Sequence, residues 1–191
     1  MSIEREITEY GRMPGDVYEQ LVNLPDLETQ EKICETIYGK VCSILDYHGI
    51  VFYEEVSNCR VKSKQRIEEK IKIRQSTRPV CDIYGTRIVV SDTDRYRVAD
   101  IIKFGFPLTP DFFEDGRPTV REYADPNMRD FISKNFNPHI STLYSALHVN
   151  VIFHRQGASL YDIGEVQIMT KKELEMSKIT REVYVNKRNG S

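Results

Sequence analysis

Eight basic side chains fall between residues 60 and 78, and the first of them are regularly spaced: Arg60, Lys62, Arg66 and Lys70. Like charges repel, so a chain that gathers so many must solvate them or bring a counter-charge to them. Arg60 and Lys62 are two apart and share a face if they lie on a strand. Lys62, Arg66 and Lys70 step by four and stack along one side if they lie on a helix. A strand running into a helix therefore aims all four cations at one point. A polyanion repays that gathering, and a nucleotide triphosphate is the right size. A solvated basic helix is the alternative that the run alone leaves open.

Two carboxylates downstream bear on that choice. Asp82 lies in Cys81-Asp82-Ile83-Tyr84-Gly85-Thr86-Arg87-Ile88-Val89-Val90, and Glu165 in Gly164-Glu165-Val166-Gln167-Ile168-Met169-Thr170. Both stand at apolar runs of strand type. On a strand, Glu165 and Gln167 share one face while Val166 and Ile168 take the core face. A carboxylate at a core strand costs stability unless something pairs with it. Mg²⁺ is a natural partner, because it takes one or two carboxylates and completes its shell with substrate phosphates. A turn cap at Asp82 and a lysine partner for Glu165 are the structural alternatives. Between the two carboxylates runs Leu143-Tyr144-Ser145-Ala146-Leu147-His148-Val149-Asn150-Val151. As a strand it places Tyr144, Ala146 and His148 together, with Leu147, Val149 and Val151 toward the core. A tyrosine beside a phosphate site can stack on a base, worth about 1–3 kcal/mol.

The rest of the chain predicts one domain. At 191 residues it is long enough to bury a core without staples. Ile33, Ile37, Val41, Ile44 and Leu45 recur at three and four, which predicts a helix over 27–47, after a shorter one that starts at Pro14 and is stopped by Pro25. Strands are expected at 50–55, 58–61 and 86–90. Ser63 is placed to cap a helix carrying Lys64 to Arg74, and Asp92 or Thr93 to cap a helix with Val98, Ile101 and Ile102 buried. Residues 104–126, broken by prolines and Gly116, read as an irregular connection. A short helix at 127–134, a loop at 135–142, a strand from 161 to 170 interrupted at Gly164, and a helix from Lys171 complete the pattern. The fold class expected is α+β: a mixed sheet of four or five strands flanked by helices, with N-terminal helices in 1–47, a catalytic core in 48–170 and a C-terminal helix or tail in 171–191.

Charge and cysteine usage narrow the classes further. Net charge is −2, so the molecule as a whole does not advertise a nucleic-acid partner. Residues 1–31 hold eight acids against two bases, and 171–191 six bases against three acids. Cys34, Cys42, Cys59 and Cys81 match no zinc spacing and follow no secretory signal, so free thiols in a cytoplasmic protein are expected. No stretch has the roughly eighteen apolar residues that a membrane span requires.

Taken in order, Arg60-Val61-Lys62-Ser63 with Lys70, Asp82-Ile83-x-Gly85-x-Arg87, Tyr144-x-Ala146-x-His148 and Glu165-x-Gln167-Ile168-x-Thr170 resemble the synthetase domain of RelA/SpoT-type alarmone synthetases. The resemblance spans about residues 40–170. It implies a nucleotidyltransferase-like fold and transfer of pyrophosphate from ATP to the ribose 3′-hydroxyl of GTP or GDP, giving (p)ppGpp and AMP. It implies an ATP site at Arg60, Lys62, Ser63, Arg66 and Lys70, catalytic roles for Asp82, Glu165 and Arg87, Mg²⁺ on Asp82 and Glu165, and acceptor contacts from Tyr144, His148 and Gln167. This sequence departs from the family in having Leu143 for glycine, Arg66 for serine, Met169 for arginine, and Asn137 to Thr142 in place of a Lys-Pro-Asn-Gly approach. These departures touch the acceptor side most. The family also contains toxins that act on the tRNA 3′ end, members that use adenosine nucleotides, and members partnered by an antitoxin or a second copy. A catalytically inactive nucleotide- or RNA-binding module is the reading from another class, against which both carboxylates stand. No His-Asp cluster of the hydrolase kind precedes the domain, and His48 stands alone.

Overall fold

The computed structural model describes residues 14–74, 77, 79–106, 120–124, 137–140, 145–155 and 157–179. Two helices open it. Helix α1 (Val17–Val22) starts at Asp16, whose carboxylate accepts from the Glu19 N–H at 2.8 Å. Helix α2 (Leu27–Tyr47) starts in the same way at Asp26, which accepts from the Thr29 N–H. Its buried positions Ile33, Cys34, Ile37, Val41 and Leu45 are those the three-and-four spacing picks out. Gly49, with a φ of 65°, turns the chain after it.

Residues 50–55 do not form the expected strand. Phe52 makes a single antiparallel bridge to Val90, and a 3₁₀ turn, Glu54–Val56, follows at once. Ser57 explains the interruption: its hydroxyl donates to the Tyr53 carbonyl at 2.8 Å and accepts from the Val89 N–H at 3.1 Å. A side chain thus takes a ladder position that a strand would have filled. Strand β1 (Asn58–Val61) then leads into helix α3 (Lys64–Arg74), which buries Ile67. Strand β2 (Tyr84–Val90), helix α4 (Arg95–Gly105), β3 (Val120–Ala124), β4 (Asn137–Ile140), β5 (Ala146–Phe153), β6 (Asp162–Thr170) and a helix at 171–179, α5, complete the order.

Among the described residues the sheet has six strands in the order β1-β2-β6-β5-β3-β4, not four or five. It is mixed: β2 with β6 and β3 with β4 run parallel, the other neighbours antiparallel. The two strands that the sequence did not predict are β3, inside the segment read as irregular, and β4, in the segment read as a loop. Val120-Arg121-Glu122-Tyr123-Ala124 and Asn137-Pro138-His139-Ile140 lack the apolar alternation that marks a half-buried strand, and β4 carries Pro138, which the edge of a sheet tolerates. Nor does Gly164 break β6, which runs through it. A Cβ there would lie 3.1 Å from the Tyr84 carbonyl oxygen and 3.2 Å from Ile37 Cδ1, so the glycine lets α2 close on the sheet. The helix expected at 127–134 lies outside the described residues.

One sheet face is apolar. Ile88 and Val90 of β2, Val166 and Ile168 of β6, and Leu147, Val149 and Val151 of β5 form one cluster with α2 and with Val98, Ala99 and Ile102 of α4. The other face is apolar at its two ends: Val89, Ala146 and Met169 meet Leu174 of α5 at one, and Ile152 pairs with the buried Ile163 at the other. Between those ends strand alternation brings Arg60, Arg87, His148, Asn150, Glu165 and Gln167 to that second face.

Candidate active site

The polar face is assembled by register. Gly85 of β2 pairs with Arg60 on one side and Glu165 on the other, and Glu165 pairs onward with Asn150. The next row runs Asn58, Arg87, Gln167, His148 and Arg121. Residues more than a hundred apart in sequence are thereby brought within a few strand spacings of about 4.8 Å each.

At the edge of this face Asp82 stands between two ammonium groups. Lys62 donates to Oδ2, and Lys70 donates to Oδ1 at 2.6 Å. The three side chains are each about one-fifth exposed, at 20–22%. Burial works against ionisation of Asp82, but the charges of Lys70 and Lys62 outweigh it and lower its carboxyl from 3.8 to about 2. The arrangement comes from local structure: the Lys62 N–H donates to the Ile83 carbonyl at 2.8 Å, which fixes the end of β1 beside the turn that carries Asp82. Lys70 reaches the same carboxylate from the second turn of α3.

The cations do not all converge. Lys62 precedes α3 instead of lying on it, so the step of four does not stack Lys62, Arg66 and Lys70. Arg66 is 63% exposed and pairs with Glu69 at 3.2 Å. The Ser63 hydroxyl lies 3.4 Å from the Arg66 N–H, in the cap position expected of it. Arg60 rests against Gly85, where a Cβ would meet Arg60 Cγ at 3.5 Å. Lys64 and Lys72 are exposed.

The second carboxylate is held differently. Glu165 Oε2 lies 2.8 Å from His148 Nδ1, and Oε1 accepts from Gln167 Nε2 at 3.0 Å. Burial opposes its ionisation, as does the charge of Asp82. The charge and hydrogen bond of His148, helped by Gln167, outweigh both, and Glu165 lies below the usual carboxylate range. The Asp82 contribution marks the two carboxylates as electrostatic neighbours. Two hard oxygen donors at one site, with cations beside them to bind phosphate, are a donor set that fits Mg²⁺. Among the described residues no group of three His, Cys, Asp or Glu side chains forms a closed metal cage. Tyr144 lies outside the described residues.

Sequence reasoning passed over Asn150, opposite Glu165 in register, and a buried group at the other end of the strands: Arg95, Ser145 and Glu173. The signal for Glu173 was present, because Thr170-Lys171-Lys172-Glu173 has the spacing of a helix capping box. The cysteines are free, as expected, and burial with the neighbouring Cys59 thiol pushes Cys34 up to about 12, so it is inert. No described helix is long and apolar enough to cross a membrane.

Comparison with known proteins agrees with this geometry. No curated protein matches the chain. Small alarmone synthetase 2 from Bacillus subtilis superposes with a TM-score of 0.56 at 20% identity, over 85% of this chain and 80% of that one. Small alarmone synthetase 1 from Bacillus subtilis does so in two states: bound to its product pppGpp, with a TM-score of 0.51 at 18% identity over 82% and 76% of the two chains, and bound to AMPCPP, with 0.50 at 18% over 85% and 76%. These likenesses show the fold. The family described as "Region found in RelA / SpoT proteins" matches residues 59–189, which takes in β1 to α5 and both carboxylates. With that match over most of its length, the chain belongs to the RelA/SpoT family.

Proposed function

We propose that this protein transfers the β,γ-pyrophosphate of ATP to the ribose 3′-hydroxyl of GTP or GDP, with AMP as the leaving group, in the cytoplasm. The observation that carries the reading is the Lys62–Asp82–Lys70 clamp beside the His148–Glu165–Gln167 group on one polar face. That small alarmone synthetase 1 binds AMPCPP and pppGpp supports nucleotides in both roles.

The residues divide the work of phosphoryl-type transfer, which is mostly positioning and charge neutralisation. Lys62 and Lys70 are paired with a single carboxylate at a partly exposed edge. A polyphosphate carries more charge than Asp82 and draws the two ammonium groups to itself, which frees both Asp82 oxygens. Arg60 joins them on the phosphates and, with the lysines, offsets charge building on departing AMP. Asp82 and Glu165 would then hold Mg²⁺, which supplies neutralisation of phosphate oxygens and a more electrophilic β-phosphorus. Gln167 and Tyr144 hold the acceptor ribose and base, His148 its phosphates, and Arg87, in the row beside Gln167, reaches phosphate or orients the acids. As an alternative to sharing the metal, Glu165 receives the proton of the attacking hydroxyl. Arg66, exposed and paired with Glu69, stands outside the lysine clamp.

The test is transfer from ATP labelled in the β-phosphate to GTP, GDP, ATP and deacylated tRNA in separate reactions. Label in GTP and GDP is expected. Label in tRNA or ATP alone would reassign the acceptor while leaving the donor chemistry, and label in none would sink the enzyme reading.

A further inference from the structure

One polar side chain on the active face has no task in the reaction as described. Along that face β5 presents Ala146, His148, Asn150 and Ile152, because Val149 and Val151 point into the core. Asn150 is half-buried, and its amide has no hydrogen-bond partner among the described residues. The fold gives no reason for it. Asparagine is disfavoured in strands, β5 lies inside the sheet, and a valine would serve the ladder better. Its cross-strand partner is Glu165, so the two side chains stand on one face with their Cβ atoms about 5 Å apart. The other neighbours of Glu165 on this face are committed or have nothing to offer. Gln167 and His148 bond to its two oxygens. Ile163 is apolar, and Gly85, across on β2, has no side chain.

We propose that Asn150 is a specificity residue that binds the 2′-hydroxyl of the acceptor ribose. The inference rests on the proposed function, in which the reacting 3′-hydroxyl comes to Glu165. In a ribose the 2′-hydroxyl is the adjacent group and lies on the same side of the ring. A ligand that brings its 3′-hydroxyl to Glu165 therefore brings its 2′-hydroxyl to a neighbour of Glu165, and Asn150 is the polar neighbour still open. A carboxamide suits a hydroxyl because it both donates and accepts. An acid at this position would repel Glu165, and a base would pair with it and hold it back from the substrate. A neutral amide leaves Glu165 ionised and available. The chemistry recognised is a cis-diol, and a deoxyribose leaves the amide unpaired.

The experiment offers GTP or 2′-deoxyGTP as acceptor to ATP labelled in the β-phosphate, with the melting temperature of each variant measured alongside. The parent should use GTP about threefold to tenfold better than 2′-deoxyGTP in kcat/KM, the effect of one hydrogen bond between neutral groups. Asn150→Ala should lower kcat/KM for GTP by that factor and change it for 2′-deoxyGTP less than about twofold, so that the preference disappears. The KM for ATP should stay within about twofold of the parent's. Asn150→Val, which suits a strand and cannot hydrogen-bond, should behave in the same way, and it carries the comparison if Asn150→Ala does not fold. A parent that uses both acceptors equally, or a variant that loses both equally, would overturn the inference and leave the transfer activity in place. A parent that labels neither nucleotide would bring down the proposed function, and the inference with it.

Discussion

The two carboxylates of the polar face are held by opposite means. Asp82 is fixed by charge alone, between Lys62 and Lys70 at an edge about one-fifth exposed, and all three residues lie within twenty positions of sequence. Glu165 is fixed by the sheet, with His148 and Gln167 oriented by a continuous ladder from Leu147↔Ile168 to Phe153↔Asp162, and it is less exposed, at 14%. Ions that hold one another can exchange partners when a stronger anion arrives. Side chains set by a backbone ladder cannot move far without breaking it. On the proposed assignment of roles, the donor side is therefore built to exchange and the acceptor side to stay.

The largest effect expected is shared by both halves. Asp82→Asn and Glu165→Gln should each lower turnover about a hundredfold or more, because a metal-centred clamp supplies several kcal/mol. Volume is unchanged in both, so circular dichroism should report an intact fold. Near-normal turnover in either would remove that carboxylate from the site.

Acid stability should separate the halves. Asp82 ionises at about 2 in the fold against 3.8 ordinarily, so the stability it contributes is complete above about pH 4 and lost as the pH falls toward about 2. The shift corresponds to about 2 kcal/mol. Glu165, also held low, acts in the same direction. Urea titrations between pH 5 and pH 2 on nucleotide-free protein should show Asp82→Asn with a shallower loss than the parent. Parallel curves would mean that the lysine clamp does not exist in solution.

A smaller effect tests the exchange itself. Lys62→Ala or Lys70→Ala should raise the KM for ATP about tenfold or more whatever the acceptor, since each removes a charge-assisted hydrogen bond. Lys64→Ala and Lys72→Ala, both exposed, should change it less than about twofold. Equal losses at all four would describe a diffuse basic patch and not a clamp. The smallest change is expected at Arg66, whose exposed pair with Glu69 is worth about 0.5 kcal/mol or less. A large loss of ATP use in Arg66→Ala would put this arginine back on the phosphates.

Local periodicity was the most legible part of the fold. Helix α2 runs from Leu27 to Tyr47, as its apolar spacing predicts, and Leu147, Val149, Val151, Val166 and Ile168 all face the core. In each case burial on one side of a regular element imposes its own period on the sequence. The misreadings share a cause as well. Residues 50–55 have strand composition, but the Ser57 hydroxyl takes the ladder position. Strands β3 and β4 have no apolar alternation in their sequence for a period of two to show. The step of four from Lys62 misled because the helix begins only at Lys64, a start that the Ser63 cap already marked and the spacing of the charges ignores.

By itself the sequence determined the chemistry available: the cations, the two carboxylates, and the face of each strand on which Glu165, Gln167 and His148 lie. Those are properties of residue type and of a period of two, and both are local. Tertiary structure alone decided the pairing. It set Lys62 and Lys70 on Asp82, sent Arg66 to Glu69, brought His148 to Glu165, and buried Arg95 with Glu173 and Ser145. Which partner a charge finds depends on distances across the fold and on how much water each site excludes, and neither quantity is written in the spacing of residues along the chain.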